Sequence, residues 1–171
     1  MEKLSEVENK LNDCWEKKDT SRLDDLANQY NQLQMERDMF VQKSSQDSRG
    51  LFVSQVIKNQ RLPLLDGYLT EDERLKSYKN DFFKVLDFSN PGLIHSQVYT
   101  DNIFSYLIKY NSPLMTQKQR EAEYTKAVDT IMANTKQNPE VRKFITGYLL
   151  HGFEVLQMTN LVNFINRKYI P

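Results

Sequence analysis

Apolar side chains along the chain recur mostly at intervals of three and four residues, the spacing that places them on one face of an α-helix. In the first 43 residues this spacing gives two narrow apolar stripes flanked by charged positions. The two segments are therefore predicted to form an antiparallel helical hairpin. The stripes consist of Leu4, Val7, Leu11, Cys14 and Trp15 in the first helix and of Leu23, Leu26, Tyr30, Leu33, Arg37 and Phe40 in the second.

Helix starts are marked by residues that cap the free N–H groups of a first turn. Thr20–Ser21 is predicted to start the second helix, and Thr70 forms a capping box with Glu73. Thr116 and the pair Asn138–Pro139 are predicted to start two later helices. With the amphipathic segments between them, these signals predict an all-α helical bundle of about six to eight helices. We expect the following apolar residues to be buried: Phe82, Phe83, Phe88, Leu107, Phe144 and Leu149.

The polar segment SSQDSRG, residues 44–50, interrupts the helical pattern. It suggests a helical arm over residues 1–47 and a compact helical body over residues 48–171, within one structural domain. Only five glycines and five prolines occur, which disfavours an all-β fold with many tight turns.

Charge and hydropathy make nucleic acid and the membrane unexpected as partners of this segment. The 23 basic and 23 acidic side chains balance, so the chain has no strong field to attract a polyanion, and nucleic acid is not an expected partner. No stretch approaches the roughly 20 apolar residues of a membrane span, so we expect no membrane contact by this segment.

Residues with catalytic or metal-binding potential are few. The two histidines, His95 and His151, do not have the spacing of metal ligands, and Cys14 has no second cysteine to pair with. Asp81 and Asp87 flank aromatic residues and are candidates for a raised pKa, although a structured turn explains them better. The pattern predicts no catalytic residue, no metal site and no cofactor.

Residues 78–110 contain an aromatic helix end, a turn rich in backbone-binding side chains, and a second aromatic helix. This order resembles the helical region of thioredoxin-like proteins of Bacteroidetes, and weaker similarity extends over residues 48–170. The motif is structural rather than catalytic. Its residues are Phe82, Phe83, Asp87, Phe88, Ser89, Pro91 and Leu93.

In that group a lipoprotein signal and a small β-rich domain come first, and a thioredoxin-like domain of the TlpA or peroxiredoxin-like type follows and carries the CxxC. The resemblance implies that the chain is the excised middle of a thiol-disulfide oxidoreductase of the periplasm or cell envelope. The neighbouring thioredoxin-like domain would be its partner. The catalytic cysteines of the group correspond to no residue here, Cys14 included.

Two hypotheses of function remain open. The preferred one is a non-catalytic interaction or positioning module, with a homodimer through the first two helices as a further hypothesis. The alternative is a small-ligand-binding or enzymatic helical domain with a pocket near Phe83 and Asp87.

Overall fold

The computed structural model describes residues 2–170, and within that range the chain is 75% helical, with eight α-helices and no β-strand. The predicted all-α fold is confirmed. The α-helices are α1 Glu2–Lys17, α2 Leu23–Asp47, α3 Phe52–Lys58, α4 Glu71–Asp81, α5 Val98–Ile108, α6 Gln117–Asn134, α7 Pro139–Val155 and α8 Thr159–Tyr169; short 3₁₀ turns cover Thr20–Arg22, Phe82–Lys84 and Pro91–His95.

Three of the four helix starts predicted from capping residues are confirmed. Thr70 begins α4 through a full capping box, Thr116 does the same for α6 with Gln119, and the side chain of Asn138 accepts from the first backbone N–H groups of α7. The start predicted at Thr20–Ser21 is wrong. There the carboxylate of Asp19 accepts from the backbone N–H of Ser21 at 3.0 Å and opens a 3₁₀ turn, and α2 begins only at Leu23.

The chain divides into two compact units, Met1–Leu86 and Asp87–Pro171. The boundary expected at residue 47 thus lies inside the first unit. The reason is that α3 packs on the end of α2: the hydroxyl of Ser54 donates to the carbonyl of Ser45 at 2.7 Å, and the hydroxyl of Ser45 donates to the carbonyl of Ser54 at 3.0 Å.

The core of the first unit is the predicted antiparallel hairpin of α1 and α2. Its buried apolar residues come from both helices, and Tyr30 of α2 donates to Glu8 of α1 at 3.3 Å. The prediction for Phe40 is wrong, because its side chain is 71% exposed. The buried residues of this cluster are Val7, Leu11, Cys14, Leu26, Ala27 and Tyr30, with Leu4, Trp15, Leu23, Leu33 and Leu65 packed around them.

Beyond Tyr30 the inner face of α2 becomes polar, and it binds the backbone of the segment that follows α3. The side-chain amide of Gln34 accepts from the N–H of Leu65 at 2.8 Å and donates to its carbonyl at 2.7 Å. One turn earlier, the side-chain oxygen of Asn31 accepts from the N–H of Gly67 at 2.8 Å. The buried face of α2 is therefore rotated towards Gln34 and away from Phe40.

A partly buried ion pair extends this contact. Asp38 of α2 accepts two hydrogen bonds from the guanidinium of Arg61, at 2.7 and 3.0 Å, and Arg37 donates to the carbonyl of Gln60 at 2.7 Å. The hydrogen bonds from Arg61 hold the pKa of the Asp38 carboxyl below its usual range.

A buried cation, Arg74 of α4, lies in the same unit. Its guanidinium donates to the carbonyl of Leu69 and to the side chain of Asn12, and it lies 5.4 Å from the ring centroid of Tyr30. These contacts tie α4 to the hairpin through hydrogen bonds and a cation–π interaction.

The second unit is built from α5 to α8 around fully buried residues of α6, α7 and α8. Of the residues expected to be buried, Phe82, Phe88 and Leu149 are buried, whereas Phe83, Leu107 and Phe144 are half-buried. Buried apolar residues of this core include Leu93, Tyr99, Ile103, Tyr106, Val128, Ile131, Met132, Val141, Ile145, Leu149, Leu161 and Ile165.

Candidate functional site

The loop of residues 87–93 is a tight structured turn, as predicted. The carboxylate of Asp87 accepts from the N–H of Ser89 at 2.9 Å and from its hydroxyl at 2.5 Å. The side-chain oxygen of Asn90 then accepts from the N–H of Gly92 at 2.9 Å, where the 3₁₀ turn begins. The side chains of Asp87 and Asn90 each bind the backbone N–H two residues further on, which is the geometry of an Asx turn.

Two side chains from other elements hold the loop in place. The hydroxyl of Tyr99 donates to the carbonyl of Asn90 at 2.8 Å, and its ring stacks on Phe88 with centroids 5.2 Å apart. Burial raises the pKa of Tyr99 to about 12, so the hydroxyl keeps its proton and stays a donor. Asn138 donates to the carbonyl of Ser89 at 3.0 Å, which connects the loop to the start of α7.

The residues of the family motif therefore fall into two groups. Phe82 and Phe83 lie in the first unit, where their rings meet edge to face at 5.2 Å. The range 87–93 lies in the second unit, with Leu93 fully buried. The contacts described above are those of a structured turn, and the alternative of a pocket near Phe83 and Asp87 stays a prediction.

Replacing Tyr99 by phenylalanine tests the importance of this turn. The change leaves the carbonyl of Asn90 without its buried donor, and we expect the second unit to lose about 1–2 kcal/mol of stability. Circular dichroism during thermal unfolding measures the loss. Tyr148→Phe is the matched control, because the hydroxyl of Tyr148 makes no hydrogen bond within residues 2–170. Equal effects of the two changes would contradict this role of Tyr99.

A second candidate site is an apolar cleft in the second unit, which we call the α5–α7 cleft. It has a volume of about 380 Å³ and is bounded by the C-terminal halves of α5 and α7, with α6 contributing one aromatic ring. Its lining residues are Phe104, Leu107, Ile108, Tyr124, Tyr148, Leu149, His151, Gly152, Phe153, Val155 and Leu156.

Several lining side chains project into solvent. Phe104 and Val155 are 58% and 68% exposed, and Ile108 and Leu156 are also exposed. The spacing of Ile103, Phe104 and Ile108 in the sequence is that of one apolar helix face, but of these three only Ile103 is buried. The pair Phe104 and Ile108, four residues apart on α5, could have pointed to the cleft. The sequence pattern alone does not show that this pair faces solvent.

The floor of the cleft is open at Gly152. No atom lies within 4 Å of the position that a Cβ would take there, so the backbone of α7 is accessible to another molecule. A glycine inside a helix costs about 1 kcal/mol relative to alanine, and no packing contact from the part of the chain that the structure describes offsets that cost here. The polar groups at the edge are the imidazole of His151 and the hydroxyl of Tyr148, whose pKa is raised by burial and by Asp101.

The other candidate residues do not converge. Cys14 is buried in the hairpin core and His95 is exposed. In the part of the chain that the structure describes, no group of three His, Cys, Asp or Glu side chains is arranged to hold a metal ion. No helix between residues 2 and 170 has both the length and the apolar character needed to cross a membrane.

The fold and the cleft define an all-α protein of two helical units with an exposed apolar surface on the second. Comparison with family models, with curated proteins and with solved structures gave no match.

Proposed function

We propose that this protein is a non-catalytic helical interaction module and that the α5–α7 cleft is where it binds its partner. The observation that carries the proposal is the set of large apolar side chains that surround the cleft while remaining exposed, Phe104 and Val155 above all. Exposed apolar groups gathered around one concave surface typically mark an interaction site.

The form of the cleft favours a protein partner over a small molecule. Its volume of about 380 Å³ lies at the low end of the roughly 300–1,000 Å³ of ligand pockets. Much of its apolar surface is on side chains that project outward, which a small molecule inside the cleft would leave in water. A protein surface covers the projecting groups and the floor together, and gains about 25 cal/mol for each Å² of apolar area removed from water.

The resemblance in residues 78–110 suggests the class of partner, a thioredoxin-like domain of a thiol-disulfide oxidoreductase. The reactivity of a CxxC thiol is set within its own domain by the helix N-terminus that lowers its pKa. A helical module contributes position instead, because it holds the redox domain at high effective concentration near its client. The module thus changes which client is reached and leaves the intrinsic thiol chemistry unchanged.

An NMR titration tests this proposal. A purified thioredoxin-like domain of the TlpA type is added to the ¹⁵N-labelled chain, and we expect amide shifts concentrated in residues 104–108 and 148–156. Ile108→Glu and Val155→Glu place a charge in the cleft and should weaken binding about tenfold or more. The matched control is Leu114→Glu, since Leu114 is 94% exposed and does not line the cleft.

The possible results separate the two parts of the proposal. Binding that survives both cleft variants, or that Leu114→Glu weakens equally, contradicts docking in the cleft. Absence of binding to the thioredoxin-like domain contradicts the partner class. A reading frame without a CxxC domain next to these residues contradicts it as well.

A further inference from the structure

A second exposed apolar surface lies on α2 in the first unit. Met35, Met39 and Phe40 are each more than half exposed, and they lie near the middle of a 25-residue helix. We call Glu36, Met39, Phe40 and Lys43, with the adjoining groove, the α2 face. Among residues 2–170 no element covers its apolar side chains, so a partner is needed to remove them from water.

A groove runs beside Phe40. It has a volume of about 650 Å³ and lies between the start of α1, the exposed side of α2 and the end of α3. Leu4, Leu33, Val41 and Ile57 provide its apolar walls. A projecting aromatic ring and a groove thus lie side by side on one surface, which is the property that a self-complementary interface requires.

Two oppositely charged residues on the α2 face indicate which kind of partner fits it. Glu36 and Lys43 are seven residues apart, so they lie on nearly the same side of α2, about 10 Å apart along its axis. They are equidistant from the midpoint between Met39 and Phe40. When two α2 helices pack antiparallel about that midpoint, Glu36 of each copy faces Lys43 of the other. Lys43 is exposed and makes no ion pair with any residue that the structure describes, so its charge is available.

We propose that the α2 face binds a second copy of this chain, in an antiparallel and two-fold symmetric pairing of α2 with α2. Phe40 of each copy packs at the symmetry axis beside the groove of the other, and two Glu36–Lys43 ion pairs fix the register. This inference concerns the first unit and does not depend on the α5–α7 cleft.

Charge reversal tests the pairing on the full chain by sedimentation equilibrium. We expect a species of twice the 20.2 kDa chain mass for the unchanged protein. Glu36→Lys or Lys43→Glu alone places like charges opposite each other twice, and should weaken dimerisation about tenfold. The double variant restores opposite charges at both contacts, and should return the dissociation constant to within about threefold of the original.

Further variants locate the interface. Phe40→Glu is expected to abolish the dimer without unfolding the chain, because the side chain is exposed in the monomer. Lys118→Glu, an exposed position on α6, is the matched charge control and should have no effect. The inference is overturned by a monomer at millimolar concentration, by a double variant that fails to recover, or by a dimer that Ile108→Glu dissociates while Phe40→Glu leaves it intact.

Discussion

Replacing Gly67 by alanine is expected to destabilise the first unit by about 2–3 kcal/mol, because there is no room for a methyl group where this residue meets α2. A Cβ added at Gly67 would lie 2.7 Å from the carbonyl oxygen of Ala27 and 2.8 Å from its Cα. Both atoms belong to the backbone of a buried part of α2, which cannot move aside as a flexible side chain would. The segment must therefore move away, and the hydrogen bond from Gly67 to Asn31 is lost with it.

Fluorescence of Trp15 during urea unfolding measures this loss, because Trp15 is the only tryptophan and packs on the core of the first unit. Gly147→Ala is the opposite control. Gly147 lies inside α7, and the added methyl group would point into open space. Alanine should therefore stabilise the second unit by up to about 1 kcal/mol, as followed by circular dichroism. A change below about 0.5 kcal/mol for Gly67→Ala would show that the segment does not press on α2.

Asp38→Asn is expected to cost about 2–3 kcal/mol at neutral pH. Removing one charge of a buried pair typically costs about 3–5 kcal/mol, and the smaller value reflects the Arg61 side chain, which is 33% exposed. The asparagine keeps the shape of the side chain but leaves the guanidinium of Arg61 without its anion.

The loss of stability caused by Asp38→Asn should become smaller as the pH falls. The pKa of Asp38 is lower in the folded protein than in the unfolded chain, where an aspartate titrates near about 4. The ion pair therefore stabilises the fold above that pH, and its contribution falls as the pH drops through the folded pKa. Unfolding in urea at pH 7 and at pH 3, followed by Trp15 fluorescence, should show the stability difference between the unchanged protein and the Asp38→Asn variant shrinking in acid.

Asp13→Asn is the matched control in the same unit. Asp13 pairs with Lys17 one turn away at 3.1 Å, and both side chains are largely exposed, so the change should cost less than about 0.5 kcal/mol. A similar loss for the two aspartates, or a loss for Asp38→Asn that does not vary with pH, would contradict the role assigned to the partly buried pair.

Local signals in the sequence predicted the helices because their causes are local. A capping box such as Thr70 with Glu73 needs only four consecutive residues, and the Asn138–Pro139 start needs only the first turn of α7. The faces of the helices were harder to predict. Phe40 fits the apolar spacing of α2 but is exposed, because Gln34 and Asp38 turn inward to bind residues 31 and 23 positions later.

The candidate sites were harder to predict from the sequence than the helices, because one of them is formed by residues that are far apart in the chain. The tight turn of residues 87–93 was predictable from Asp87 and Asn90, whose side chains bind backbone two residues on. The α5–α7 cleft was not, because its lining residues come from three helices separated in sequence. The sequence places Phe104 on an apolar helix face, but only the packing of α5 against α7 decides that this face is open to solvent.

The polar inner face of α2 has a consequence for how the first unit tolerates sequence change. Asn31, Gln34 and Arg37 bind main-chain atoms of residues 60–67, and a main-chain atom is the same whichever side chain it carries. Most positions of that segment are therefore free to vary without loss of these contacts. The constraint falls instead on Gly67, where any side chain would collide with α2, and on Arg61, whose guanidinium is bound by Asp38. A library randomised over residues 60–67 should retain arginine at 61 and glycine at 67. It should keep apolar side chains at the buried Pro63 and at Leu65, which packs on the hairpin core, and accept wide variation at the other positions.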